Sequence, residues 1–342
     1  MKKYDVTIGI PIYNSVDCIQ RTLLSAFSQS YPSIEFLLVD DCCNDGTFDV
    51  VNNVLFNNKR SCDVHIITHP VNLGVSASRN EIINEALGDY LYFMDSDDVI
   101  SENAIELLIS NIHKYDAEIV FGSYEKIEIS GKKIIYQYPK LYIQKEDELA
   151  SFAYRKYAGI QASACNILIK TSILRNKHLC FINTNYWEDM VFTFDLVTLF
   201  TRAVLLPDIT YSYICRENSL SHYQQREVIS KEEIMRNVYA IDYLKKTSYL
   251  FYHKVYFPNR CLNIVMTDFY IACNILKRRK YIFPSISDLE IKMLMQHPAT
   301  LNQICSFRES RFENIILCVI AKLPSRICVL LILCIGKIKK LI

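Results

Sequence analysis

The sequence predicts an α/β fold: a mostly parallel, Rossmann-like sheet with helices on both faces, joined to a mainly helical C-terminal region. Three observations carry this expectation. Over the first 122 residues, short apolar runs alternate with polar loops and amphipathic stretches, the rhythm that builds parallel sheets. The fourth apolar run, Tyr90 to Met94, leads straight into Asp95-Ser96-Asp97-Asp98, which places acids outside the carboxyl end of a strand, where such sheets bind ligands. From Ser230 onward the text reads mostly helical, with few glycines.

Each element has its own signal. Val6 to Ile10 is the first strand, stopped by Pro11 and Asn14; Ile19, Leu23, Ala26 and Phe27 then recur at helical spacing. Phe36 to Val39 is the second, and Asp45-Gly46 turns the chain into a helix carrying Val51, Val54 and Leu55. Val64 to Ile67 is the third, with Ser76 as the expected N-cap of a helix bearing Ile83 and Leu87. After the fourth strand, Ile105, Leu108, Ile109 and Ile112 mark a helix, and Glu118 to Phe121 closes the set. Tyr124 to Tyr142 alternates like a hairpin around Ser130-Gly131, and less regular sequence follows to about Ser221. The expected division is a first domain over residues 1–225, with halves 1–122 and 123–225, and a helical region over 226–342.

Composition excludes several classes. Half of the residues are apolar, so disorder is not expected, and a net charge of +1 gives no reason to expect nucleic acid as a partner. The thirteen cysteines are odd in number and form no CxxC pair, so they read as small core residues in a reducing cytoplasm. Met1 to Asp5 leads directly into a strand-like run, with no secretory signal. The tail, 312–342, holds two apolar runs, Ile315 to Ala321 and Ile327 to Ile335, divided by Lys322, Pro324 and Arg326. Neither approaches the ~20 residues that span a bilayer. A buried helical hairpin and an in-plane contact with anionic lipid compete as readings; the basic residues at both ends, Lys337, Lys339 and Lys340 among them, favour the membrane contact.

Carboxylates as crowded as Asp95, Asp97 and Asp98 repel one another, and a divalent cation is the simplest way to keep them ionised together. The run reads in two ways. It is a DxD site holding the diphosphate of a nucleotide sugar, or it is the DxDxV signature of haloacid dehalogenase-like phosphohydrolases, with Asp95 as nucleophile. The plain alternative is a solvated loop whose acids cap the helix beginning near Ser101.

The wider text resembles the family 2 glycosyltransferases, which have the GT-A nucleotide-diphospho-sugar transferase fold. The successive motifs are Ile10-Pro11-Ile12-Tyr13-Asn14; Leu38-Val39-Asp40-Asp41 with Asp45-Gly46-Thr47; Asn72-Leu73-Gly74-Val75-Ser76 with Ser78-Arg79-Asn80; Met94 to Asp98; and Trp187-Glu188-Asp189. The resemblance implies an inverting transferase that moves one sugar from a nucleoside diphosphate, UDP in type, to a hydroxyl on a carbohydrate or lipid-linked acceptor, as in surface-polysaccharide assembly. It implies Asp189 as general base, with Pro11, Tyr13, Asn14, Asp40 or Asp41, Arg79, Asp95, Ser96, Trp187, Glu188 and Arg216 around the donor and acceptor. It implies Mg²⁺ or Mn²⁺ held by Asp97 and Asp95, with His222 beside them on a loop closing over the diphosphate. It places the chain in the cytoplasm, peripheral on the inner face of the plasma membrane. A non-catalytic nucleotide-sugar binder remains a second alternative to the phosphohydrolase.

Without the upstream motifs, Asp189 would read as a helix start and Trp187 as a packing residue; Arg216 reads equally as surface loop. His65 and His69 read as structural, and Lys277 to Lys280 as a solvated face. Cys42-Cys43-Asn44 stands where the family pattern has Gly-Ser-Thr, and Glu102 where it often has proline. Trp187 is the only tryptophan, so the QxxRW motif of processive synthases is absent.

Overall fold

The structure is a computed structural model that describes residues 3–56, 58–155, 160–184, 187–216 and 229–342. It divides into two compact units, one of residues 1–149 with 161–217 and one of 150–160 with 218–342.

In the first unit the expected alternation is present: β1 (Tyr4–Ile12), α1 (Ile19–Phe27), β2 (Ile34–Asp40), α2 (Thr47–Phe56), β3 (Val64–Thr68), α3 (Val75–Glu85), β4 (Gly88–Phe93), β5 (Val99–Ile100), α4 (Ala104–Tyr115) and β6 (Ile119–Ile127). Then come β7 (Lys133–Tyr136), β8 (Leu141–Ile143), β9 (Ile167–Lys170), α6 (Thr171–Asn176), α7 (Glu188–Leu196) and β10 (Ala203–Ile214), while α5 (Glu148–Arg155), between β8 and β9 in the chain, belongs from Ala150 onward to the second unit. β1 lies in parallel between β2 and β4, and β3 extends β2. β1 and β2 are buried on both faces, which is why their sequences are near-continuous apolar runs.

The sheet is mixed, with the order β3-β2-β1-β4-β9-β6-β10-β5. β9 slots antiparallel between β4 and β6, and β10 pairs in parallel with β6. The two antiparallel steps around β9 cancel. The carboxyl ends of β1, β2, β4, β6 and β10 therefore all reach one edge, and the acids lie along it. The expected hairpin forms between β6 and β7, with Gly131 at φ +81° in its turn. Helix α3 starts one residue before Ser76, with Gly74 as N-cap at φ +90°; the Ser76 hydroxyl donates to the Thr184 carbonyl instead.

A buried polar knot locks the central strands. The Asn166 carboxamide donates to the carbonyls of Gly122 and Ser123, and its oxygen accepts from Thr210 and Tyr92. Glycine is required at 122 because a Cβ there would press on Thr210 and Asn166.

The second unit contains β11 (Ile229–Ser230), α8 (Lys231–Thr247), α9 (Phe257–Arg278), β12 (Ile282–Phe283), α10 (Asp288–Leu294), α11 (Leu301–Cys305), α12 (Arg311–Lys322) and α13 (Ser325–Ile338). Asp268 on α9 is fully buried; burial pushes its carboxyl up to about 7, against the pull of the Lys245 ammonium 2.6 Å away. In the tail, α12 buries Asn314, Leu317, Cys318 and Ile320, and α13 buries Cys328, Val329, Ile332 and Gly336. Each of these helices also exposes an apolar outer stripe: Phe312, Ile316 and Val319 on α12, and Ile327, Leu330 and Ile338 on α13. Among the described residues no helix is long and apolar enough to cross a membrane.

Gly122→Ala is expected to lower the melting temperature, corresponding to about 1–3 kcal/mol of lost stability from overpacking. An unchanged melt would mean that Thr210 and Asn166 yield to a methyl group without cost.

Candidate active site

The carboxyl edge of the sheet is stitched together loop by loop. After β1, Asn14 turns the chain at φ +44°; its amide donates to the Cys43 sulfur, and its side-chain oxygen accepts from the Asn44 amide at 3.0 Å. The Ser15 amide donates to Thr47 Oγ1, and the hydroxyls of Ser15 and Ser96 meet at 2.7 Å. The turns after β1, β2 and β4 thus form one connected floor, with Tyr13 exposed above it.

The two acids after β2 face different surroundings. Asp41 accepts from the His69 ring at 2.8 Å, from the Leu73 amide at 2.7 Å and from the Gly74 amide at 2.8 Å, so it fixes the loop entering α3. Asp40 Oδ1 accepts from the Cys43 amide. Cys42, where the family pattern has glycine, sits at φ +65°. The backbone keeps the left-handed turn that glycine adopts freely, at a strain cost of about 1–3 kcal/mol.

At the acid run, Asp95 Oδ1 accepts from Arg79 at 2.9 Å, and its amide donates to the Tyr211 hydroxyl. Asp97 pairs with Arg216 at 2.5 Å, and its carbonyl accepts from Arg21. Burial, and then the nearby Asp95 charge, raise the Asp97 carboxyl above its ordinary range. Asp98 is turned inward: Tyr211 donates to one oxygen at 2.6 Å and the Ile214 amide to the other at 2.8 Å, with burial pushing its carboxyl up to about 8. Asp98 is therefore a tie to β10. Asp95 and Asp97 are instead paired with arginines; their oxygens are of the kind that suits a hard divalent cation, and a cation reaching Asp97 would compete with Arg216. Among the described residues no group of three or more His, Cys, Asp or Glu converges as a ready metal site. His222 lies outside the described residues.

The catalytic-motif candidates meet the acid run through one side chain. Arg79 is buried; one end of its fork donates to Glu188 at 2.9 Å and the other to Asp95 at 2.9 Å, with the guanidinium 5.3 Å from the Phe181 ring centroid. Its buried Nε has no partner among the described residues. Trp187 is the N-cap of α7 at φ +60°, which sets Glu188 and Asp189 in the first turn. Burial, and then the Glu188 charge, push the Asp189 carboxyl up to about 7, while it accepts from the Met190 amide. The structure thus brings Asp189, Glu188, Arg79 and Asp95 together, and separately Asp97, Arg216, Ser96 and Ser15. Tyr211, Phe181, Arg21 and Cys18, whose sulfur lies 3.4 Å from Arg216, are contributors that sequence reasoning did not single out. None stands in a motif; Tyr211 falls in the stretch that reads as irregular.

Residues 7–175 match the model of glycosyl transferase family 2. An uncharacterized glycosyltransferase of Haemophilus influenzae is 32% identical over 129 residues, 38% of this chain but only 50% of that protein. The chain thus spans about half the length of that relative. The UDP-Glc:alpha-D-GlcNAc-diphosphoundecaprenol beta-1,3-glucosyltransferase WfaP of Escherichia coli is 27% identical over 233 residues, 68% of this chain and 86% of that one. The crystal structure of S. aureus TarS 1-349 in complex with UDP-GlcNAc superposes with a TM-score of 0.65 at 17% identity, covering 93% of this chain and 90% of that one. That likeness shows a GT-A fold.

The raised Asp189 carboxyl has a consequence for stability. Between its ordinary value of 3.8 and its folded value of about 7, the folded chain holds a proton that the unfolded chain releases, so stability falls as pH rises through that window. Asp189→Asn removes this dependence. The variant should melt above the wild type at pH 8, with a gap that grows from about pH 4 to about pH 7 and then levels. A gap that is constant with pH, or of opposite sign, would show that Asp189 is not held above its ordinary range.

Proposed function

With residues 7–175 belonging to glycosyl transferase family 2, we propose that the chain is an inverting glycosyltransferase that passes one sugar from a UDP-type donor to a hydroxyl acceptor in surface-glycan or glycolipid assembly. The observation that carries this is the Arg79 bridge, which holds the donor-side acid Asp95 and the Glu188-Asp189 pair in one rigid unit.

In this reading Asp40 accepts the base N–H, since Asp41 is engaged within the protein, and Pro11, Tyr13 and Asn14 line the nucleoside. Ser96 and Arg216 face the diphosphate; Arg216 exchanges Asp97 for phosphate oxygens, which its planar fork matches. Trp187 offers a ring face to the sugar. Asp189 takes the proton of the acceptor hydroxyl as that oxygen bonds to the anomeric carbon. The bond to the diphosphate breaks on the opposite face, and the nucleoside diphosphate leaves with the electron pair. A carboxylate titrating near 7 suits this task, being ionised for much of the time and basic enough to accept a proton. Mg²⁺ or Mn²⁺, when bound, would sit on Asp97 and Asp95 and offset charge building on the leaving diphosphate. His222 stays a candidate for the same ligand set. The phosphohydrolase reading is not favoured: Asp95 is held by Arg79 and follows the fourth strand, not the first.

The finer placement is also a proposal: the chain works in the cytoplasm at the inner membrane face, on a lipid-linked acceptor. Its support is the tail. Six of the 38 Lys and Arg residues but only one of the 37 Asp and Glu residues fall within 311–342, around the apolar outer stripes of α12 and α13.

Two outcomes are expected. With UDP-sugars and Mn²⁺, UDP release should rise with pH and level off above about 7. Asp189→Asn should lose ~10²–10⁴-fold in rate with UDP affinity retained. Near wild-type turnover in the variant, or failure of the wild type to bind UDP, would overturn the reading. For the tail, Ile327→Glu with Leu330→Glu should weaken co-sedimentation with anionic liposomes while the melt is preserved, because both side chains are exposed. Wild-type sedimentation should fall in high salt, each basic residue near the surface contributing about 1 kcal/mol. Equal sedimentation of variant and wild type would remove the tail from the contact.

A further inference from the structure

We propose that Tyr124 and Tyr136 form a stacking platform for a pyranose ring of the acceptor, on the carboxyl edge of the sheet beside the Asp95–Asp98 loop. The proposal rests on the glycosyl-transfer reading and adds to it the place and chemistry of an acceptor subsite.

Strand register places the two rings. Tyr124 on β6 is the partner of Tyr211 on β10, and across the hairpin it is the partner of Tyr136 on β7. Side chains of register partners project to the same face of a sheet, so the three tyrosines form a row across three strands. The inner end of the row is fixed by the acid run: the Tyr211 hydroxyl donates to Asp98 and accepts from the Asp95 amide. The face that carries the tyrosines is therefore the face on which the acid loop lies. Two strand spacings, about 10 Å, separate Tyr211 from Tyr136, so the platform flanks the donor site.

The pair itself is built to receive something flat. The rings of Tyr124 and Tyr136 are parallel within 7°, with centroids 4.7 Å apart, so each fixes the other's orientation. Tyr136 is nevertheless 43% exposed. Among the described residues neither hydroxyl of the pair has a hydrogen-bond partner. Burial, then Tyr138 and Tyr136, raise the Tyr124 phenol, so it stays a neutral donor at any physiological pH. A pyranose offers the complement: an apolar face of C–H bonds rimmed by hydroxyls.

A second tyrosine pair in the same unit shows what a purely structural stack looks like. Tyr115 and Tyr142 also approach closely, with centroids 4.1 Å apart, but their hydroxyls bond each other at 2.9 Å. Tyr142 pairs with Val204 near the start of β10, at the opposite edge of the sheet from the acids. That pair is closed on itself and remote. The Tyr124–Tyr136 pair is open and adjacent to the acid loop.

The test uses the full chain with UDP present and a panel of methyl and octyl pyranosides of glucose, galactose and N-acetylglucosamine as probes. At least one glycoside should bind, with saturation transferred from tyrosine ring protons to its ring C–H protons. Tyr136→Leu should weaken that binding about tenfold, Tyr136→Trp should keep it within a few-fold, and Tyr115→Leu should leave it unchanged; tenfold corresponds to about 1.4 kcal/mol. UDP affinity should be the same in all of them. Should Tyr136→Leu fail to fold, the saturation-transfer signal of the wild type decides alone. The platform is overturned if glycosides bind without ring contact, if Tyr136→Leu binds them as the wild type does, or if UDP binds and no glycoside does. Loss of UDP binding in the wild type would instead sink the transfer reading itself.

Discussion

A guanidinium that has left water must be matched by carboxylates, and the candidate site is organised around that requirement at Arg79. Its side chain is 4% exposed, and the two ends of its fork take Asp95 from the loop after β4 and Glu188 from the first turn of α7. Breaking such a buried pair costs about 3–5 kcal/mol, because the partner charge is left uncompensated. The acid run and the Glu188-Asp189 pair therefore cannot drift apart independently. The burial that makes Arg79 rigid also raises Asp189, so one packing arrangement fixes the distance between the two halves of the site and the protonation of the candidate base.

The remaining acids show how a single residue type is sorted by its neighbours. Asp98 and Asp41 each receive donors at both oxygens and become parts of the scaffold, holding β10 and the loop before α3. Asp97 sits at the boundary, paired with an arginine that is partly open to solvent. Of the two arginines paired with carboxylates of the run, Arg216 is the exchangeable one: its side chain is 37% exposed, so a phosphate or water can take over its hydrogen bonds. Arg79 has no such replacement. A ligand approaching the acids thus meets one mobile counter-charge and one fixed one.

Much of this was legible in the sequence, for a physical reason. β1 and β2 are buried on both faces and β4 along most of its length, so local apolar runs report them directly, while β3, partly exposed along its whole length, is marked by its apolar Val64, Ile66 and Ile67 and by its place in the alternation. The placement of Asn14, Asp40 and Asp95 at strand ends follows from that alternation. β9 was not legible: Ile167 to Lys170 is four residues long, and its position between β4 and β6 depends on pairing with strands far away in the chain. The mixed character of the sheet and the role of Tyr211 depend on the same long-range pairing. Nor does sequence separate Asp40 from Asp41, since the distinction lies in His69 and two backbone amides some thirty residues downstream. Arg79 stood in a motif, but its use as an internal strut appears only once α7 is in place.

The tail illustrates a limit of reading hydrophobicity as burial. Its two apolar runs admitted a packed hairpin or a membrane contact as competing readings, and α12 and α13 contain the physical basis of both. Each helix buries one face in its own unit, and each keeps a second apolar stripe outside. A helix apolar on both sides satisfies only half of its hydrophobic surface by folding, and at ~25 cal/mol per Å² the exposed half retains a drive toward another apolar phase. Basic residues at the ends of both helices bias that drive toward an anionic surface. Truncating the tail would remove both faces at once and confuse folding with docking, whereas substitutions confined to the outer stripe keep them separate.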